Sequence, residues 1–226
     1  MSLMGTLSIV ATPIGNLEDI TFRALRTLKE CDVIYAEDTR VISKLLARYE
    51  VKKPLQRLDA ATESKKAEDV VARLEAGEHV VYVSDAGTPS ISDPGMRLVA
   101  HVRLLAPDAS VEAIPGPSAL TAALSIAGID TTAFTFLGFL PHKKGRQTAL
   151  KGVSKSEIPV VLYESPHRIV KLLKELGDVD ASRLVIAREL TKMHEELISG
   201  TPAELQAHFA AHPDTLRGEF VVIVVP

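Results

Sequence analysis

Two α/β domains with mixed sheets are what this chain of 226 residues predicts. Short β-branched runs alternate with amphipathic helical patterns from end to end. The pattern changes at Pro115-Gly116-Pro117, where the chain divides into residues 1–115 and 116–226. Beyond that break, the strand-like runs Leu184 to Ala187 and Glu196 to Ser199 follow each other without a helix between them. That succession points to antiparallel pairing and hence a mixed sheet.

The elements follow in order. Leu7 to Ala11 is a strand that ends in a Thr12-Pro13-Ile14-Gly15-Asn16 loop. Ile20 to Lys29 is a helix with Ile20, Phe22, Leu25 and Leu28 on its apolar face. Val33 to Ala36 is a strand, and a helix from about Thr39 buries Val41, Ile42, Leu45, Leu46 and Tyr49. A helix from Ser64 to Ala76 closes at Gly77, and a strand at Val80 to Val83 breaks into the loop SDAGTPSISDPG, residues 84–95. Met96 to Leu105 is a helix and Val111 to Ile114 a strand. Ser118 is placed to cap a helix from Ala119 to Ala127. Beyond Gly128, strands are expected around Phe134 to Phe139, Pro159 to Tyr163, Leu184 to Ala187, Glu196 to Ser199 and Glu219 to Val225. Helices fill Ser165 to Leu176 and Pro202 to Ala211, and Lys143 to Arg146 reads as a mobile basic loop.

Composition narrows the function. At 46% hydrophobic and 24% charged the chain is globular, with no apolar run of membrane-spanning length and no signal sequence. A single cysteine, Cys31, excludes an internal disulfide, disfavours structural zinc and points to a reducing cytoplasm. A net charge of −3 argues against a general nucleic-acid binder. The distribution argues for a local anionic docking surface. From Arg40 to Arg57 six residues are basic and only Glu50 is acidic, and from Lys143 to Lys155 five are basic and none acidic. Arg40, Lys44 and Arg48 recur at i, i+4, i+8 on one helical stripe, where like charges repel until an anion relieves them.

Nucleotide signatures are missing: neither GxxxxGK[ST] nor a GxGxxG after the first strand occurs. His208 and His212 lack a third ligand nearby, so no metal is expected. Ser118, in Gly116-Pro117-Ser118-Ala119, lacks the second glycine of a nucleophile elbow. What remains are three loops at carboxyl ends of strands, TPIGN, SDAGTPSISDPG and PGPSA, all rich in small residues and without Lys or Arg. Such loops suit a neutral or cationic ligand with an adenine or amino-acid portion, and Asp85 and Asp93 are acceptors for a positive group.

The segments AxTPIGNLEDITFRA, AEDTR, SDAGTPSISDPG, IPGPSAL, FLGFLP, YESPHR and ARELTK together resemble the 16S ribosomal RNA cytidine 2′-O-methyltransferases, within the tetrapyrrole methylase superfamily. The resemblance runs from about Leu7 to Val225. It implies two α/β domains with S-adenosyl-L-methionine in a cleft between them, a homodimer, and 16S rRNA of the small ribosomal subunit as substrate. Matched by motif, the implied cofactor contacts are Pro13, Ile14, Asp85, Ala86, Gly87, Thr88, Ile91, Ser118, Ala119, Tyr163, Glu164 and Leu190. Many superfamily members carry a GDP-like triplet where this chain has Gly87-Thr88-Pro89, which removes any argument for a carboxylate at position 88.

A ribose hydroxyl is a poor nucleophile, and a base within hydrogen-bond reach accelerates its attack by roughly 10²–10⁴-fold. Glu164, Glu37, Asp38 and Glu189 are the candidates, Glu164 first because it ends a strand. Each could instead form a structural ion pair, Glu37 or Asp38 with Arg40 and Glu189 with Arg188. The expected RNA contacts are Arg40, Lys44, Lys143, Lys144, Arg146 and Arg168. Rival readings are a tetrapyrrole C-methyltransferase, an RNA-binding protein without catalysis, and a hydrolase using Ser118.

Overall fold

The computed structural model describes residues 4–59, 62–92 and 95–226, and of Ser64 the backbone. The chain divides into two compact units, Met1–Ser118 and Ala119–Pro226.

In the first unit, strands β1 (Thr6–Val10), β2 (Val33–Ala36), β3 (Leu55–Arg57), β4 (His79–Val83) and β5 (Ser110–Ile114) form a sheet in the order β3-β2-β4-β1-β5. Every registered pair in it is parallel. Its helices are α1 (Phe22–Glu30), α2 (Thr39–Arg48), α3 (Glu63–Glu75) and α4 (Met96–Leu105). Successive strand residues face opposite ways, so β4 serves both faces. Val81 and Val83 pack with Ala24 and Leu28 of α1 and with Ile42 and Leu46 of α2. Val80 and Tyr82 pack with Val70 and Leu74 of α3 and with Leu98 and Val102 of α4. Burial on both sides explains why β4 reads as an unbroken apolar run.

The chain leaves β1 through α1 over one face and leaves neighbouring β4 through α4 over the other. Right-handed crossovers travelling in opposite directions require this arrangement. The loops after β1 and β4 therefore lie side by side where the strand order reverses, the place at which open α/β sheets bind ligands. Two expectations differ here. β3 has three residues, too few for any periodicity to register. Phe22, placed by its spacing on the apolar face of α1, is 95% exposed.

In the second unit, β6 (Thr135–Phe139), β7 (Val160–Glu164), β8 (Arg183–Arg188), β9 (Glu196–Gly200) and β10 (Phe220–Val225) lie in the order β6-β7-β10-β8-β9. β6 and β7 are parallel and the remaining pairs antiparallel, which makes this the mixed sheet. Its helices are α5 (Ala119–Ile126), α6 (Arg146–Ser154), α7 (Ile169–Gly177) and α8 (Pro202–Ala211). Leu150 and Val153 of α6, Leu172 and Leu176 of α7, and Leu205 and Phe209 of α8 pack on Leu162, Ile186, Phe220 and Val222. Each such aliphatic side chain contributes about 1.5–3 kcal/mol by leaving water. α8 begins with a reciprocal cap: Thr201 Oγ1 accepts from Glu204 N, and the Glu204 carboxylate accepts from Thr201 N at 2.8 Å. α6 corrects the expected mobile loop, because Arg146 is the buried first residue of a helix. α7 starts later than its pattern suggested, since Ser165 O accepts from both Arg168 N and Ile169 N in a turn around Pro166.

Candidate functional site

Three loops of the first unit meet at Gly87. Thr12 and Gly87 exchange both backbone hydrogen bonds at 3.0 Å, an antiparallel bridge between the loops after β1 and β4. Thr12 Oγ1 donates to Ser84 O at 3.3 Å, and Thr88 Oγ1 donates to Pro117 O at 3.2 Å, which brings in the loop after β5. Gly87 has φ +80, a conformation that side chains resist, and an added Cβ would lie 3.3 Å from Ile14 Cγ2. The peptide groups of Gly87 are thus spent on the interlock. Around that knot Ala86 and Ile91 are exposed, and Asp85, Thr88 and Ser118 are half-buried. Pro13 and Ile14 are buried within the cluster. Asp85 Oδ1 accepts from Asp38 N at 2.9 Å, joining the loop after β2 to the same edge. Asp93, the second expected acceptor, lies outside the described residues.

The far end of the long loop has an anchor that no sequence signal marks. Gly95 precedes α4 and has no side chain to cap it. The buried Glu63 carboxylate, 32 residues upstream, accepts from Gly95 N and Leu98 N, each at 3.0 Å.

The four candidate bases fare differently. Asp38 caps α2 through Arg40 N and is gripped by the Arg40 guanidinium, whose hydrogen bonds pull its pKa down to about 2. Glu189 has φ +50 and sits in a turn. Burial alone would raise its pKa, but hydrogen bonds from Lys192 Nζ at 2.8 Å and Glu219 N at 3.1 Å outweigh burial and lower it. Both carboxylates hold structure and are weak bases. Glu164 is corrected most sharply: its side chain has no exposed surface. Its Oε1 accepts from Ser165 N at 2.8 Å and Arg168 Nε at 2.6 Å, and its Oε2 lies 3.8 Å from Arg146 Nη2. In this arrangement the carboxylate serves as an anchor for Arg168 and Ser165. Glu37 is half-buried at the carboxyl end of β2.

The same contacts revise the basic set. Arg146 is 4% exposed; it forks Glu175 at 2.6 and 2.8 Å and donates to Pro141 O at 3.1 Å. Arg168 donates to Leu140 O at 3.3 Å and lies over the Phe139 ring, 6.0 Å from its centroid. The two arginines thereby pin the segment that precedes Lys143 and Lys144, and those lysines, with Lys44 and Arg40, are exposed. Glu164 and Arg168 lie four residues apart across the turn after β7, whereas the Arg146–Glu175 pair spans 29 residues and no local pattern marks it.

Elsewhere in the second unit, Tyr163 stands edge-on to Phe136 and Phe139, with ring centroids 5.0 and 5.7 Å apart. Leu190 is buried beside Glu189, and Ala119 opens α5. His208 faces Glu196, with no metal-binding cluster among the described residues. Among the described residues no helix is long and apolar enough to cross a membrane.

Comparisons with known proteins identify the family. The family model of tetrapyrrole (corrin/porphyrin) methylases matches residues 6–206. A relative from Thermotoga maritima named ribosomal RNA small subunit methyltransferase I is 45% identical over 207 residues, covering 91% of this chain and 92% of its own. One of the same name from Xylella fastidiosa is 46% identical, covering 99% and 82%. Among solved structures, uroporphyrin-III-C-methyltransferase from Thermus thermophilus superposes with a TM-score of 0.67 at 18% identity, covering 97% of this chain and 94% of its own. Diphthine synthase superposes with a TM-score of 0.75 at 15% identity, covering 98% and 90%. At those identities the structures establish the fold alone. One unit holds an all-parallel sheet and the other a mixed sheet, and the chain belongs to the tetrapyrrole (corrin/porphyrin) methylase family, among its ribosomal RNA small subunit methyltransferase I members.

Proposed function

We propose that this chain transfers a methyl group from S-adenosyl-L-methionine to the 2′-oxygen of a cytidine ribose in 16S rRNA of the small ribosomal subunit. The carrying observation is the loop cluster knotted at Gly87, in a chain 45% identical to a relative named for ribosomal RNA methylation. When bound, S-adenosyl-L-methionine supplies an electrophilic methyl on a sulfonium. The residues present fit such a cation: the loops contain no Lys or Arg, their side chains are small, and the Asp85 carboxylate is half-buried among them. Pro13, Ile14, Asp85 to Thr88, Ile91 and Ser118 form the proposed contacts of the first unit. Ala119, Tyr163, Leu190 and the backbone of Glu164 complete the set.

The chain's own contribution is alignment and proton removal. Loops tied to one another by backbone hydrogen bonds hold their shape, and in-line attack rewards fixed geometry of about 3 Å between reacting atoms. Glu37, at the same strand edge as Asp85 and Asp38, is the proposed base that accepts the ribose hydroxyl proton. Exposed Lys143, Lys144, Lys44 and Arg40 face the phosphates. A homodimer working in the cytoplasm completes the proposal, and sedimentation of the purified protein tests the dimer. A tetrapyrrole substrate has likeness of fold alone in its favour.

Labelled S-adenosyl-L-methionine, incubated with small subunits from cells lacking this activity, tests the reading. Label is expected in 2′-O-methylcytidine. Transfer to a corrin precursor and none to the subunit overturns it.

A further inference from the structure

We infer that Phe22 is a stacking platform for an unpaired base of the ribosomal RNA, with cations of α1 and α2 holding the adjoining phosphates. The inference rests on the RNA substrate proposed above and adds a contact at a residue whose spacing alone would place it in the core. Single exposed apolar side chains are common and signify little alone. Phe22 differs in its company and its place.

α1 buries Ala24, Thr27 and Leu28, while Phe22, Arg26 and Lys29 form an exposed stripe at i, i+4, i+7, with Arg23 on its flank. Phe22 is 95% exposed, so packing has no use for its ring. Among the described residues no ion pair engages Arg23, Arg26 or Lys29. Carboxylates are near, since Glu18 and Asp19 precede the helix and Glu30 ends it, so the stripe is a mixed surface with the three cations in excess on its exposed side. α2 lies on the same sheet face and presents Lys44 and Arg48. The two helices are fastened together where Tyr49, which follows α2, donates its hydroxyl to Leu17 O at 2.7 Å, just ahead of α1. An aromatic ring amid cations is the recurring design for gripping single-stranded nucleic acid.

The placement ties this surface to the loop cluster. Thr21 caps α1, its Oγ1 accepting from Ala24 N at 3.0 Å. The Thr21 methyl lies 3.7 Å from where a Cβ on Gly116 would stand, so it borders the loop after β5. Phe22 is the next residue along the chain, and Gly116 lies two residues before Ser118 of the proposed donor site. A nucleotide flanking the target is therefore the fitting occupant.

The chain contains no tryptophan, so Phe22→Trp supplies a single fluorescent reporter. A single-stranded oligoribonucleotide should quench it, and inorganic polyphosphate of equal charge should not. Phe22→Ala should raise KM for small subunits roughly tenfold while leaving the affinity for S-adenosylhomocysteine and the melting temperature unchanged, and Phe22→Trp should restore KM. Reversing charge with Arg26→Glu and Lys29→Glu should flatten the salt dependence of binding. An unquenched reporter together with an unchanged KM for Phe22→Ala overturns the inference. A KM change accompanied by a shift in sedimentation also overturns it, by assigning the ring to a contact between copies. If the wild-type protein labels no RNA and the reporter is still quenched, the substrate reading falls and the stacking site stands.

Discussion

At the sheet edge of the first unit, loops are joined by peptide groups: Thr12 with Gly87, and hydroxyls of Thr12 and Thr88 on carbonyls of Ser84 and Pro117. At the end of β7 in the second unit, chain segments are joined by charge: Glu164 between Arg168 and Arg146, and Arg146 on Glu175. The difference follows from what each region must present. The proposed site for a cation would not tolerate a lining of guanidinium groups, and uncharged backbone contacts hold its loops together. A segment ending in Lys143-Lys144 repels itself, and buried arginines held by carboxylates can pin its carbonyls without consuming the lysines. Rigidity comes by separate routes, and they should fail differently.

The largest expected effect separates them. Gly87→Val combines a φ of +80 with a side chain aimed at Ile14, so S-adenosylhomocysteine affinity, measured by calorimetry, should fall at least roughly tenfold. Denaturant stability of the second unit should not change. Equal loss in both would mean that the knot is a general structural element.

Glu164→Gln is the converse. Removing one partner from a buried charge cluster costs about 3 kcal/mol in denaturant unfolding, because Arg168 is left buried with a weaker partner. The folded fraction should keep its kcat for methyl transfer. A kcat loss of roughly 10²–10⁴-fold with unchanged stability would restore Glu164 as the base.

Acid provides a smaller test. The Asp38 carboxyl is pulled by Arg40 from 3.8 to about 2, so its contribution is complete above about pH 4 and disappears as pH falls toward 2. The melting temperature of Asp38→Asn should decline less steeply over that interval than that of the parent. Parallel curves would mean that the Arg40 contact contributes nothing in solution.

The smallest effect concerns Cys31. Burial pushes its thiol up to about 11, so a thiol reagent at about pH 8 should react only after unfolding. Rapid reaction in native buffer would show that the packing beneath α1 opens locally.

Legibility in the sequence followed the range of the forces. α4 and β2 were found at their ends because a breaker or a β-branched run marks them locally. The three loops were visible because Pro and Gly announce themselves. β3 escaped by its shortness, and α6 escaped because Gly145 and Gly152 dilute its pattern while its anchor, Glu175, sits one helix away. Phe22 was misread since a phenylalanine at helical spacing is core far more often than surface. Glu63 capping α4 and the Gly87 knot are contacts across tens of residues, and no window of sequence contains both partners.

Amide hydrogen exchange with and without S-adenosylhomocysteine tests the central claim most directly. Slowed exchange confined in the first unit to Ile14 and its neighbours after β1, Asp85 through Ile91 and the loop preceding α5 is the predicted result. Binding that leaves those amides untouched, with protection appearing elsewhere, would contradict it.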